Sequence, residues 1–193
     1  MPDDETHILK MSLDHYQAPA RNLALKHCKK FDRALDVGAH IGLWSKHLCQ
    51  KFNDVIAFEP VEAHRECIFE NIDALNFSCE PYAIGASNGT IGMHIAKDCS
   101  GGSHVEPGTG VNVRALDDID FDTVDFIKMD VEGYELFALK GAVETLEKHK
   151  PVVVIEQKKN IHFGLPQYAA SDFLKSLGAK EIGRAVDDWV FAW

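Results

Sequence analysis

The chain is short of positive charge. Twenty lysines and arginines stand against 30 aspartates and glutamates in 193 residues, a formal net charge of -10. A surface of that sign repels phosphate backbones and anionic headgroups, so neither nucleic acid nor a membrane is an expected partner. Nowhere do the apolar residues approach the run of about 18 that a membrane-spanning helix needs. The first ten residues, "MPDDETHILK", carry acids where a secretion signal has a basic region, and no apolar core follows them. The expectation is a protein of the cytoplasm. Five cysteines, Cys28, Cys49, Cys67, Cys79 and Cys99, are odd in number, widely spaced and without a CxxC pair. That spacing excludes ordinary zinc fingers and a disulfide framework and suits reduced thiols, and no metal ligands are assigned. Internal repeats, low-complexity tracts and long linkers are missing too. At 46% hydrophobic the chain can bury one substantial core, which predicts one domain over residues 1–193, as a monomer or homodimer.

What is present is an alternation of strand and helix patterns. An N-terminal helix is expected over 17–30, within a helical segment 1–30. A strand "RALDV" (33–37), a helix (42–52), a strand "DVIAFEP" (54–60) and a helix (61–75) follow. "FSCEPYAIG" reads as a third strand, irregular at Pro81. Residues 89–119 depart from the alternation: a short strand, a loop "DCSGGSHVEPGTG" and an extended piece, with 97–110 the expected substrate loop. Order returns with a strand through Met129, a helix from Glu135 to about Lys148, the β-branched run "PVVVIEQ", a helix near 167–177 and two short closing strands. Such alternation implies right-handed crossovers, and the closing strands are too near each other for another. The expected fold is α/β, a doubly wound, mostly parallel Rossmann-like sheet with an antiparallel C-terminal strand.

Ligands in such sheets sit beyond the carboxyl ends of the strands, where strand order reverses. Four of the five expected ends carry acids: Asp36, Glu59, Asp130 and Glu156. A core requires none of them, and burying them unpaired costs several kcal/mol each, on the order of 2–7. The turn Gly38-Ala39-His40-Ile41-Gly42 lacks the GxGxxG spacing of a dinucleotide site. A carboxylate at Asp36, about 6 Å from a pyrophosphate charge, would oppose binding by on the order of 3 kcal/mol. S-adenosylmethionine meets these constraints. Its cationic groups can use nearby acids, its carboxylate can use N–H groups at a helix start, and its ribose diol can be held bidentate by Glu59, about 20 residues beyond Asp36. Asp36 with Gly38, Ala39, His40 and Gly42 is expected to hold the methionine end, and Pro60 with Tyr82, Ala83 and Ile84 to sandwich the adenine.

"LDVGAHIG", "AFEP", "AIGASNGT", "ALDDI" and "FIKMDVEGYELFALKGA" together resemble the FkbM-type methyltransferases, class I enzymes dependent on S-adenosylmethionine. The resemblance covers about residues 33–157, and Asp-Val-Glu-Gly-Tyr-Glu is its most specific part. His40 departs from it, because the family turn usually reads Gly-Ala-Asn. The resemblance implies O-methylation of a sugar or natural-product hydroxyl.

An alcohol is a weak nucleophile while it holds its proton, so methyl transfer to oxygen needs a base within hydrogen-bond reach. Asp130, ending the fourth strand beside the expected meeting point of cofactor and acceptor, is the first candidate. Glu132 on the same turn can act there or cap the following helix. Glu156 can face the acceptor or pair with a lysine of "QKKN". His104 is a candidate because an imidazole titrates near neutrality and Gly101 and Gly102 allow its loop to move. A divalent metal shared by Asp130, Glu132 and Glu156 is an alternative route to the same end. An N-methyltransferase acting on a small amine stays open, although the residues after the fourth strand are not the Asn-Pro-Pro-Tyr type. So does a non-catalytic S-adenosylmethionine-binding module. No motif names the acceptor, a small molecule or saccharide.

Overall fold

A computed structural model describes residues 15–96, 100–157 and 163–193. Seven strands form its main sheet in the order β3-β2-β1-β7-β8-β10-β9. They are β1 (Arg33–Val37), β2 (Asp54–Phe58), β3 (Phe77–Glu80), β7 (Phe126–Met129), β8 (Val152–Glu156), β9 (Lys180–Ala185) and β10 (Asp188–Ala192). The first five pair in parallel, while β10 runs antiparallel to both β8 and β9. This is the expected doubly wound sheet with an antiparallel end. A second sheet, β4-β6-β5, joins β4 (Ala83–Ile84), β5 (Gly89–His94) and β6 (His104–Arg114).

Period-2 alternation gives the main sheet its two faces. Leu35, Val37, Ile127, Met129, Val153 and Ile155 form one core with Ala138 and Leu139 of α4 (Glu135–Lys140), Leu146 of α5 (Val143–His149) and Leu174 of α6 (Ala169–Ser176). Ala34, Phe126, Val152 and Val154 form another with Ala24 of α1 (Ala18–His27) and with Trp44 and Leu48 of α2 (Leu43–Leu48). The remaining helix, α3 (Glu62–Asn71), packs Ile68 against Ala57 and Ala39. On that second face Asp36 and Lys128 continue the alternation past Ala34 and Phe126, so strand periodicity delivers two charges to the interior. Burial pushes the thiols of Cys28 and Cys79 up to about 12 and that of Cys49 to about 11. They pack as small apolar groups.

Four expectations change. The helix expected over 17–30 is the shorter α1. "FSCEPYAIG" is two strands in different sheets, divided at Pro81, which cannot donate to a ladder. The expected loop at 98–110 is in large part strand: a 3₁₀ turn at Ser100–Gly102 leads into β6, which pairs antiparallel with β5 around an irregularity at Ile91/Gly92. Glycine and proline suggested a loop there, but Pro107, Gly108 and Gly110 fall in the register break between Glu106 and Val111, where a bulge accommodates them. Residues 97–99 of that segment lie outside the described residues, as do 1–14 and the "QKKN" lysines. Finally, the helix expected from Glu135 to Lys148 breaks into α4 and α5. At the break a Cβ on Gly141 would stand 2.0 Å from the Gly85 carbonyl oxygen, and the Gly141 carbonyl accepts the Asp117 N–H at 2.9 Å. The close approach of two backbones ends the helix, against its apolar periodicity. Gly141→Ala should therefore cost about 2–4 kcal/mol, read as a melting temperature lowered by roughly 5–15 °C.

Candidate active site

Parallel register places Asp36 of β1 directly opposite Lys128 of β7. Asp36 is fully buried. Its Oδ2 accepts the Ser45 hydroxyl at 2.6 Å, and its Oδ1 lies 3.7 Å from the Lys128 ammonium. Lys128 Nζ also donates to the Gly38 carbonyl at 3.2 Å and stands 3.4 Å from Asp130 Oδ2. Burial opposes the charge on Lys128, but Asp130 and Asp36, with Tyr16 and Asp188 beyond them, hold its ammonium above the usual lysine range. Asp36 is pushed up by burial and pulled back by Lys128 and Ser45. Sequence reasoning missed Lys128. Its signal was a charge within an otherwise apolar strand, meaningful only once the register is known.

Above this pair, the chain leaves β1 in a turn with left-handed backbone at Gly38 (φ 76), His40 (φ 52) and Gly42 (φ 82). A Cβ on Gly38 would fall 1.9 Å from the Asp130 carbonyl oxygen, so only glycine lets the two strand ends close up. The turn aims the His40 N–H at Glu59 Oε2, 2.9 Å away. Glu59 Oε1 accepts the Val61 N–H at 3.0 Å and lies 3.1 Å from His64 Nδ1. With Oε1 occupied twice, further acceptor capacity rests on Oε2, which narrows the bidentate role expected for Glu59.

A cavity of about 400 Å³ opens over these strand ends. Of the residues expected at the cofactor, Gly38, Ala39, His40, Glu59, Pro60, Ala83, Ile84 and Asp130 line it. Asp36, Gly42 and Tyr82 do not. Asp36 lies beneath the turn, Gly42 backs onto Ile68 and Ile72, and Tyr82 packs against Phe58 with the Arg114 guanidinium over its ring. The four residues expected at the acceptor, Asp130, Glu132, Glu156 and His104, all line the cavity. So do Tyr16, Lys128, His64 and Tyr134, which the sequence did not single out. His104 opens β6 instead of riding a loose loop. Its Nδ1 lies 3.0 Å from the Gly102 carbonyl, and its ring packs 5.0 Å from that of His94 across the ladder.

The turn after β7 is tied to the first residue of α4. Glu135 Oε1 accepts the N–H groups of Val131 and Gly133, each at 3.1 Å. Glu132 instead adopts a left-handed backbone (φ 52), a conformation costing roughly 1–2 kcal/mol outside glycine, and lines the cavity. Strain of this kind collects at functional positions. One oxygen each from Asp130, Glu132 and Glu156 lies within 4.8 Å of the others, a spacing at which a divalent cation can be held.

Residues 36–180 match the Methyltransferase FkbM domain. The chain belongs to the FkbM methyltransferase family. Hexuronic acid methyltransferase AglP of Haloferax volcanii is 28% identical over 152 residues, which cover 74% of this chain and 61% of that protein. The chain thus spans less than two thirds of that curated relative. Methyltransferase FkbM from Methylobacillus flagellatus superimposes with a TM-score of 0.56 at 22% identity, over 84% of this chain and 43% of that one. A SAM-dependent methyltransferase from Aquifex aeolicus gives 0.54 at 18%, over 100% and 98%. These superpositions establish the class I methyltransferase fold.

The FkbM family's cofactor is S-adenosylmethionine, and the residues present fit it: backbone of the turn at Gly38, Ala39 and His40, the Glu59 carboxylate and apolar Phe58 and Ile84 line one cavity. His40 in place of the family's asparagine has a backbone reason. The position is left-handed, a region where asparagine and histidine are both enriched, and the contact to Glu59 comes from the main chain. Among the described residues, no helix is long and apolar enough to cross a membrane.

Two outcomes follow. Glu59→Gln keeps the side chain's shape and removes its charge, so S-adenosylmethionine affinity measured by calorimetry should fall about 10- to 100-fold. Burial, opposed by the backbone N–H groups it accepts, raises the Glu135 carboxyl from 4.5 to about 7. The folded protein then keeps a proton that the unfolded chain releases, and the stability this confers is full below about pH 4.5 and lost as pH rises to about 7. Glu135→Gln removes that dependence. Its stability relative to the parent should rise by on the order of 3 kcal/mol between about pH 4.5 and pH 8, read from paired denaturation curves.

Proposed function

We propose that this chain is an S-adenosylmethionine-dependent O-methyltransferase acting on a hydroxyl of a saccharide or small natural product. The observation that carries the proposal is the convergence of Asp130, Glu132 and Glu156 within 4.8 Å at one end of the cavity. An amine acceptor can attack with its own lone pair, whereas an alcohol needs somewhere to put its proton, and three carboxylates supply that. The naming of AglP as a hexuronic acid methyltransferase adds support for a sugar acceptor.

When bound, S-adenosylmethionine supplies a methyl group on a sulfonium, already a good leaving group. The chain's own task is to align the acceptor and take its proton. Three observations support Asp130 for this: it follows β7 directly, its N–H is tied to the Val37 carbonyl at 3.0 Å, and the Lys128 ammonium lies 3.4 Å from its carboxylate. Glu132 and Glu156 each bring an oxygen within 4.8 Å of it. The same geometry supports a second reading, in which a divalent cation held by the three acids lowers the hydroxyl pKa.

A cofactor-product release assay against panels of sugars, sugar nucleotides and phenols tests the function. With an acceptor in hand, Asp130→Asn should lower turnover by about 10²- to 10⁴-fold with cofactor affinity largely kept, and a fully active variant removes Asp130 from the mechanism. Activity surviving exhaustive chelation assigns the proton transfer to the carboxylates alone.

A further inference from the structure

Tyr16 reaches the cavity from outside the stretch that matches the family. Its phenol faces Lys128, Asp130, Asp188 and Glu156, the charged groups at the reacting end. The chain around it is built to hold it there. Buried Arg21 donates from Nη1 to the Tyr16 carbonyl at 2.6 Å, and Gln17 takes a left-handed backbone (φ 45) while its side chain accepts the Trp44 indole N–H. Helix α1 starts immediately afterwards and packs on the same face of the sheet that carries Asp36 and Lys128.

Packing alone asks only for a ring at this position, which phenylalanine supplies. Tyr16 is half-buried, packed on the core cluster of Ala34 and Trp44, and it lines the cavity that carries the carboxylates, where a phenol can serve a bound molecule. Burial, with Lys128 opposing and the surrounding acids adding, raises it above the ordinary tyrosine value, so it stays a donor through the neutral range.

We propose that Tyr16 is the acceptor-binding residue of this site, its phenol donating a hydrogen bond to the oxygen that is methylated. The inference rests on the O-methylation reading above. A hydroxyl oxygen has one proton and two lone pairs, and the site gives each a direction. The proton points to Asp130 and one lone pair receives the phenol hydrogen. With the other, the oxygen forms the new bond to carbon, as the carbon–sulfur bond breaks with its electrons left on sulfur. The hydroxyl proton passes to the carboxylate, and the phenol keeps its own. An amine in the same place has one lone pair, needed for attack, and leaves the phenol donor unmatched. Tyr16 therefore selects hydroxyl over amine, a choice that carboxylates alone would reverse by attracting ammonium groups.

The test is Tyr16→Phe, assayed by cofactor-product release against neutral hexoses, hexuronates and the amino sugars that carry nitrogen in place of one hydroxyl. The wild type should methylate a hydroxyl sugar in preference to its amino counterpart. In the variant, kcat/KM for the hydroxyl acceptor should fall about 10- to 100-fold, mostly through KM, and the preference over the amine should shrink. S-adenosylmethionine affinity and melting temperature should match the wild type. Unchanged kcat/KM, or a fall accompanied by equal losses in cofactor affinity and stability, overturns the role of Tyr16 and leaves the function standing. A wild type that binds the cofactor yet methylates only amines, or nothing in the panel, overturns the O-methylation reading and this inference with it.

Discussion

The site depends on one buried arrangement of charge, Lys128 between Asp36 and Asp130. Lys128 and Asp36 are buried to 5% exposure or less, and neither would survive there alone. Removing one partner of such a group leaves an uncompensated charge, at a cost of about 3–5 kcal/mol. The placement is specific in return. Lys128 stands opposite Asp36 across the β1–β7 pair, the point where the sheet's strand order reverses, and its remaining reach goes to the Gly38 carbonyl. A single side chain thereby ties the register of two central strands to the shape of the turn above them.

The unusual backbone of the site follows from this tie. With Gly38 drawn down onto β7, its missing Cβ is what allows contact with the Asp130 carbonyl. The turn can then leave the sheet only through left-handed residues. His40 takes one such conformation and delivers its N–H to Glu59, linking the end of β1 to the end of β2. On the other side, Glu132 takes a left-handed backbone in the turn that leads into α4, and Glu135 holds that turn by accepting the Val131 and Gly133 N–H groups. Two strained non-glycine residues flank the switch point, and each has its carboxylate, or its bond to one, at the cavity.

How much of this the sequence disclosed depended on the range of each interaction. Alternating patterns located every strand of the main sheet, because a strand buried on both faces writes its own apolar run. Acids at four strand ends stood out because a core has no use for them. Features that join distant segments stayed hidden. Lys128 reads as a surface charge until its register with Asp36 is known. Whether Glu132 serves the following helix or the cavity depends on its left-handed backbone, which the sequence does not display. The helix break at Gly141 comes from Gly85, far away in the chain, and no local propensity records it. In the strand 104–114, glycine and proline suggested a loop, and the pairing with β5 overruled them.

The same difference in range separates the two halves of the cavity. The side proposed for the cofactor is made of turns that directly follow β1, β2 and β7, so its residues come in short contiguous motifs. The side proposed for the acceptor is assembled from Tyr16 before the first strand, His104 at the start of β6, and Glu156 at the end of β8, residues that meet only in the folded chain. Glu156 stands opposite a second acid, Asp188, and both face the phenol of Tyr16. The proposed acceptor side thus joins Tyr16, ahead of the stretch that matches the family, to residues within that stretch. A buried arginine anchors the segment ahead of it and so holds the Tyr16 phenol toward the carboxylates.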